Sequence, residues 1–274
     1  MRILKVAAAV IFVLSLGFYL WADIQYKKEQ NTDFPTIIAQ EETLEVSVDD
    51  GKEALLQGLT ARDETDGDLT DQIMVASVSH FLEKGAVNVK YVVFDSHNNA
   101  ASLTRKVRYT DYHSPEFSLK KAPVYTVGTA FDLTKFVQVT DCIDGDITDR
   151  VRVISNMVNN FSVGSYPLVL EVSNSCGDTA QISLLVRYLS EEMDVSVNLS
   201  RYIVYLEQGA DFDPMHWVTS VTDKNGGALK KEDLEVQGTL DTQTPGTYSL
   251  VYSYDDGNQA GQSAITVVVA ERQG

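Results

Sequence analysis

The string Asp141-Cys142-Ile143-Asp144-Gly145-Asp146-Ile147-Thr148-Asp149 occurs earlier in nearly the same form, as Asp63-Glu64-Thr65-Asp66-Gly67-Asp68-Leu69-Thr70-Asp71. A worn third copy follows at Val221-Thr222-Asp223-Lys224-Asn225-Gly226-Gly227. The first Asp of each copy stands at 63, 141 and 223, so successive copies lie 78 and 82 residues apart. Self-similarity at such a period means tandem copies of one small unit, and a chain of 274 residues then divides into three modules, each with a modest core.

Working outward from the acidic string, each copy has the same order of parts. An entry strand leads into the loop, a polar stretch follows, and a Gly opens a hairpin of alternating residues. After Gly85 come Val87, Val89, Tyr91 and Val93; after Gly164 come Tyr166, Leu168, Leu170 and Val172; after Pro245-Gly246 come Tyr248, Leu250, Tyr252 and Tyr254. Alternation with period two is the mark of half-buried strands. Turns rich in Asp, Asn, Ser and Gly follow (Asp95-Ser96-His97-Asn98-Asn99, Ser173-Asn174-Ser175-Cys176-Gly177-Asp178, Asp255-Asp256-Gly257-Asn258), and a return strand closes each copy, through Leu103, Val107 and Tyr109, through Ile182, Leu184 and Val186, and through Ile265, Val267 and Val269. No segment past residue 30 shows a helical period.

Short strands at regular spacing predict an all-β chain of three tandem immunoglobulin-like β-sandwich modules, over residues 43–112, 115–189 and 195–271. The joints, at 110–115 and 189–194, are short, which predicts a semi-rigid rod on the order of 100 Å long.

Ahead of the modules, residues 1–5 form a short basic segment read as a cytoplasmic N-terminus, and 6–22 are an uncharged run with Tyr19 and Trp21 at its far end. Seventeen residues of helix span roughly 26 Å, near the lower limit for crossing a bilayer. Leu20-Trp21-Ala22 offers signal peptidase a bulky residue where a small one is preferred, which favours an uncleaved transmembrane signal anchor over a removed signal peptide. Lys27 and Lys28 balance Arg2 and Lys5 across the run, so orientation rests on the two cysteines and the lack of a second apolar span: a single-pass protein of the cell membrane with its C-terminal region extracellular. Residues 23–42 read as a polar stalk.

The formal net charge is −17. Acidity of this size excludes nucleic acid as a partner, since binding it rests on neutralising phosphates with Lys and Arg, and suits solubility outside a cell.

The elements Phe-Asp before the loop (Phe131-Asp132, Phe212-Asp213-Pro214), the acidic string itself, and Gly164-Ser165-Tyr166 or Pro245-Gly246-Thr247-Tyr248 after it resemble the bacterial immunoglobulin-like domain family of the pesticidal crystal protein type, a tandem domain of unknown function. The resemblance runs from about residue 43 to 271. The first copy departs from it, with Leu55-Leu56-Gln57-Gly58-Leu59 in place of Phe-Asp, and the third loses two acidic positions. It implies extracellular or wall-associated modules on bacterial surface proteins, often appended to something else.

Two readings of the acidic loops stand side by side. Asp63, Asp66 and Asp68, with Asp95, or Asp141, Asp144 and Asp146, with Asp178, can gather at one end of a sandwich and hold calcium, which takes six to eight oxygens. Alternatively, the carboxylates accept backbone N–H bonds and shape the loop around left-handed Gly67 and Gly145. The spacing is not that of an EF-hand. Cys142 in the loop and Cys176 in the turn fall at the same end of the second module, which predicts a disulfide outside the cell; the alternative is a pair of thiols.

Catalysis finds little support. His80, His97, His113 and His216 stand at no metal-ligand spacing and beside no nucleophile motif. Tyr248, Tyr252 and Tyr254 alternate as a core face does, and Trp217 either packs or stacks on carbohydrate. The sequence therefore points to a membrane-anchored bacterial surface protein, not an enzyme and without a cofactor other than possible calcium. Its modules serve as a spacer or an adhesion and binding array, with cell-wall glycan, host glycan or a surface protein as the candidate partners.

Overall fold

The computed structural model describes residues 11–23, 34–191 and 193–271, and the chain divides after Thr110 into two compact units. Residues 11–23 are helical, with the side chains from Ile11 to Trp21 exposed. Among the described residues no helix is long and apolar enough to cross a membrane. The first part of the expected span, residues 6–10, lies outside the described residues, as do 24–33 of the expected stalk.

In the first unit, β1 (Thr36–Ala39), β2 (Thr43–Val46), β3 (Leu59–Asp63), β4 (Gly67–Asp68), β5 (Met74–Val78), β6 (Ala86–Phe94) and β7 (Ala100–Tyr109) form two sheets, in the orders β1-β3-β4 and β2-β7-β6-β5. Module 1 thus begins ahead of residue 43: β1, in the stretch read as stalk, pairs antiparallel with β3 from Thr36 opposite Arg62 to Ala39 opposite Leu59. The alternation in β6 sets its faces, since Val87, Val89, Tyr91 and Val93 are wholly buried while Lys90 points to solvent. Each such side chain contributes about 1.5–3 kcal/mol on burial.

The first module departs from the repeat where its sequence does. Without Phe-Asp, residues 48–58 carry a 3-10 turn and a one-turn helix, Gly51–Ala54, which are too short to leave a helical period in the sequence. The turn starts at a capping box between Ser47 and Asp50. Two carbonyls just past the helix take buried side chains: Tyr91 Oη donates to Leu55 O at 2.7 Å and Arg105 Nη1 to Gln57 O at 2.6 Å. Arg105 is 3 % exposed and sits opposite Val89, the place that Leu184 takes opposite Leu168 in the next module.

The second unit holds modules 2 and 3. Module 2 comprises β8 (Glu116–Leu119), β9 (Val124–Thr126), β10 (Val137–Asp141), β11 (Gly145–Asp146), β12 (Arg152–Asn156), β13 (Gly164–Ser173) and β14 (Thr179–Leu189), in sheets β11-β10-β8 and β12-β13-β14-β9. Module 3 comprises β15 (Val195–Leu199), β16 (Ile203–Glu207), β17 (Val218–Asp223), β18 (Glu235–Gln237), β19 (Gly246–Asp255) and β20 (Ala260–Ala270), in sheets β15-β17 and β16-β20-β19-β18. In all three modules the second strand pairs parallel with the last, β2 with β7, β9 with β14 and β16 with β20. Every other pairing is antiparallel, the arrangement of small immunoglobulin-like sandwiches. Tyr252 and Tyr254 lie in the core as the alternation requires, and half-buried Trp217 packs on that core and stacks on Phe212.

Modules 2 and 3 share more than a linker. Ile203 of β16 is 4 % exposed and packs in the core of module 2 beside Phe117 and Tyr188. Two residues on, Tyr205 Oη accepts the Phe117 N–H at 2.7 Å, and burial pushes its phenol above the ordinary range. An apolar plug and a part-buried hydrogen bond fix this joint.

Candidate functional site

The repeated acidic string makes the same loop-shaping bonds in both copies. Asp63 Oδ1 accepts the N–H groups of Thr65 and Asp66 at 2.8 and 2.9 Å, and Asp141 Oδ1 accepts those of Ile143 and Asp144 at 2.9 and 2.8 Å. These are Asx turns, closed by Gly67 and Gly145 at φ of 80° and 73°. Asp68 and Asp146 accept the N–H of Thr70 and of Thr148, each at 3.0 Å. The Thr hydroxyls in turn accept the N–H of Ala61 and Val139, at 3.1 and 2.9 Å. The Thr70 side-chain and backbone bonds hold the Asp68 carboxyl below its ordinary range, and those of Thr148 do the same for Asp146. Leu69 and Ile147 enter the core.

The middle carboxylate reaches across to the turn between the last two strands. Asp66 accepts the Ser96 N–H and hydroxyl at 2.7 and 2.9 Å; Asp144 accepts those of Ser175, both at 2.7 Å. Arg150 Nη1 adds an ion pair to Asp144 at 2.6 Å. Burial pushes the Asp144 carboxyl upward, but the Ser175 bonds and Arg150 outweigh it and hold the group below the ordinary range. In the third copy Asp223 keeps only the first part, accepting Asn225 and Gly227 N–H groups at 2.8 Å.

Loop and turn therefore lie together at one end of both modules, but with different chemistry. In module 2, Asn174 Oδ1 accepts the N–H groups of Cys176 and Asp178, at 3.0 and 2.9 Å, and its Nδ2 donates to Asp141 Oδ2 at 3.1 Å and to Tyr112 Oη at 2.9 Å. Module 1 has Asp95 in that place. Its Oδ1 accepts the N–H groups of His97 and Asn99 at 2.8 and 2.7 Å, and Oδ2 accepts Asn99 Nδ2 at 2.8 Å. Burial again pushes upward, and these bonds leave Asp95 below the ordinary range.

Of the carboxylates read as metal ligands, Asp63, Asp66 and Asp68 do not gather as a set, nor do Asp141, Asp144 and Asp146. Among the described residues one grouping is compact enough to hold an ion: Asp66, Asp95 and His97, with one ligand atom of each within 4.8 Å of the others. His97 carries no motif along the sequence; its place in the repeat, matching Cys176, is the signal that would have found it. The disulfide expected between Cys142 and Cys176 is not formed here. Both are free thiols, Cys176 buried and Cys142 with its Sγ donating to His113 O at 3.2 Å, turned toward the segment ahead of β8. Burial pushes both thiols up.

Comparison with known proteins accords with the architecture. Residues 201–269 match the family described as bacterial surface protein, Ig-like domain. Residues 201–269 thus carry the signature of one bacterial surface Ig-like domain. Over 230 residues it is 28 % identical to the pesticidal crystal protein Cry22Aa of Bacillus thuringiensis, a match over 78 % of this chain and 30 % of that protein. The chain thus spans less than a third of the curated relative it matches. Among solved structures, Drosophila N-cadherin EC1-3 aligns over 85 % of this chain and 98 % of its own, at 11 % identity and a TM-score of 0.28. The M60 catalytic domain with two CBM51 domains from Clostridium perfringens ZmpB aligns over 88 % and 31 %, at 13 % identity and a TM-score of 0.25. At such scores neither informs the function.

Proposed function

We infer that the chain is a non-catalytic surface protein, tethered to the cell membrane by its N-terminal segment, whose Ig-like modules act as a spacer. The observation that carries this is the joint of modules 2 and 3, where Ile203 and Tyr205 of one module are built into the core and first strand of the other. A spacer works by holding a fixed geometry, and the acidic loops support the same reading because their carboxylates are engaged in loop-shaping bonds.

A binding role is favoured by one feature, the exposed apolar residues on the edge strand of module 2 and in the loop that follows it. Val153, Ile154, Met157, Phe161 and Val163 are all exposed, Phe161 at 84 %, and exposed apolar patches mark interaction sites. Titrating the purified full-length chain against soluble wall glycan fragments and host glycans separates the two roles. The spacer reading expects no saturable binding, together with protease access to a C-terminal tag on intact cells. Saturable binding lost in Phe161→Ser replaces it with the binding array, and a tag that is protected on intact cells overturns the surface placement.

A further inference from the structure

The same loop end carries a carboxylate and imidazole set in module 1 and an amide and thiol set in module 2. Asp66, Asp95 and His97 offer ligand atoms within 4.8 Å of one another, and Ser96 Oγ, which donates to Asp66 Oδ1 at 2.9 Å, also meets His97 Nδ1 at 3.2 Å. A second observation comes from Asp63, on the strand beneath. It is 2 % exposed, and while its Oδ1 is fully used, its Oδ2 is buried without a hydrogen-bond partner.

A buried carboxylate oxygen without a partner is costly. The repeat shows what normally answers it. In module 2 the equivalent oxygen, Asp141 Oδ2, receives the Asn174 amide at 3.1 Å. Asp95 replaces that amide with a second carboxylate that has no proton to give. By the correspondence of the two modules, Asp95 Oδ2 stands where the Asn174 amide stands and faces Asp63 Oδ2 with like charge, which a shared proton or a bound cation relieves.

We propose that module 1 binds a divalent transition cation of the zinc type at the end formed by Asp66, Asp95 and His97, with Asp63 Oδ2 supplying negative charge from below. The imidazole selects the class: calcium and magnesium take oxygen ligands, whereas nitrogen with carboxylates suits zinc and its neighbours. The ion then ties the acidic loop to the β6–β7 turn, strengthening the link that Asp66 and Ser96 already make.

The test is calorimetric titration of the full-length chain with zinc chloride in a Cys142→Ser, Cys176→Ser background, so that the thiols of module 2 take no metal. One zinc per chain is expected, weakened at least about tenfold by His97→Gln and by Asp95→Asn, the latter restoring the amide of module 2. His97 is exposed and its side chain is not part of the core, so the His97→Gln protein folds, which circular dichroism verifies. X-ray absorption of the zinc-loaded chain should show one imidazole among oxygen ligands. No stoichiometric binding, or binding that His97→Gln leaves unchanged, overturns the proposal. So does calcium binding at this end that His97→Gln does not affect, because the site would then be built of oxygens alone.

Discussion

Asp144 receives both hydrogen bonds that Ser175 has to give, from its N–H and its hydroxyl, each at 2.7 Å. A charged acceptor holding two donors from a turn 31 residues away is a clasp between the acidic loop and the β13–β14 turn. Charge-assisted bonds of this kind are worth about 1.5–3 kcal/mol each, so Asp144→Ala is expected to destabilise module 2 by about 2–4 kcal/mol in urea unfolding, less than the full sum because water reaches the freed serine. Asp149→Ala, at an exposed position of the same string, should stay within about 0.5 kcal/mol.

The same carboxylates make stability depend on pH. Asp68, Asp144 and Asp146 all titrate below their ordinary value of 3.8 in the folded chain. A group whose folded value is depressed stabilises the fold at pH above the unfolded value, and that contribution is lost as pH falls through the folded one. Stability is therefore expected to be level from pH 6 to about 5 and to decline below pH 3.8. Melting curves across this range measure it, and Asp144→Asn should flatten the decline in module 2.

At the joint, Ile203 and Tyr205 predict that modules 2 and 3 unfold together. Ile→Ala changes in cores cost about 2–5 kcal/mol, and Ile203→Ala removes its bulk from the core of module 2 while leaving β16 its pairing with β20. Calorimetric scans should show the single transition of modules 2 and 3 split in two in Ile203→Ala. Tyr205→Phe, which removes the acceptor of the Phe117 N–H, should lower the coupling by about 1–2 kcal/mol. A single transition in both variants would mean the modules are coupled by other contacts.

The strands were legible because burial enforces period two: Val87, Val89, Tyr91 and Val93 are one face in the sequence and one buried face in the fold. The left-handed glycines were legible for the same kind of reason, as only that residue fits the turn cheaply. Arg105 was not, because a charged residue in a return strand reads as surface unless its partner is known, and the partner is a carbonyl 48 residues away. Nor was β1 legible, since four residues with one buried side chain, Ile37, leave almost no pattern. The candidate site was half legible. The Asp positions announced themselves by repetition, whereas His97 became meaningful only once loop and turn were seen side by side, with Cys176 in the matching place.

That matching place also bears on the thiols. The Asp144–Ser175 clasp brings the loop holding Cys142 against the turn holding Cys176. Under an extracellular thiol oxidant, such as oxidised glutathione, they are expected to join, each losing its proton while the oxidant is reduced to two thiols. Closing a loop of this length contributes about 3–4 kcal/mol in the chain-entropy model. Peptide mapping of oxidised full-length chain should find Cys142 and Cys176 linked, with a higher melting temperature for module 2 that reductant reverses. The gain should vanish in Cys176→Ser and leave module 1 unmoved, because Glu64 and His97 occupy the corresponding positions there. An oxidised chain that retains both thiols would mean that the bond from Cys142 to His113 O and the burial of Cys176 hold the sulfurs apart.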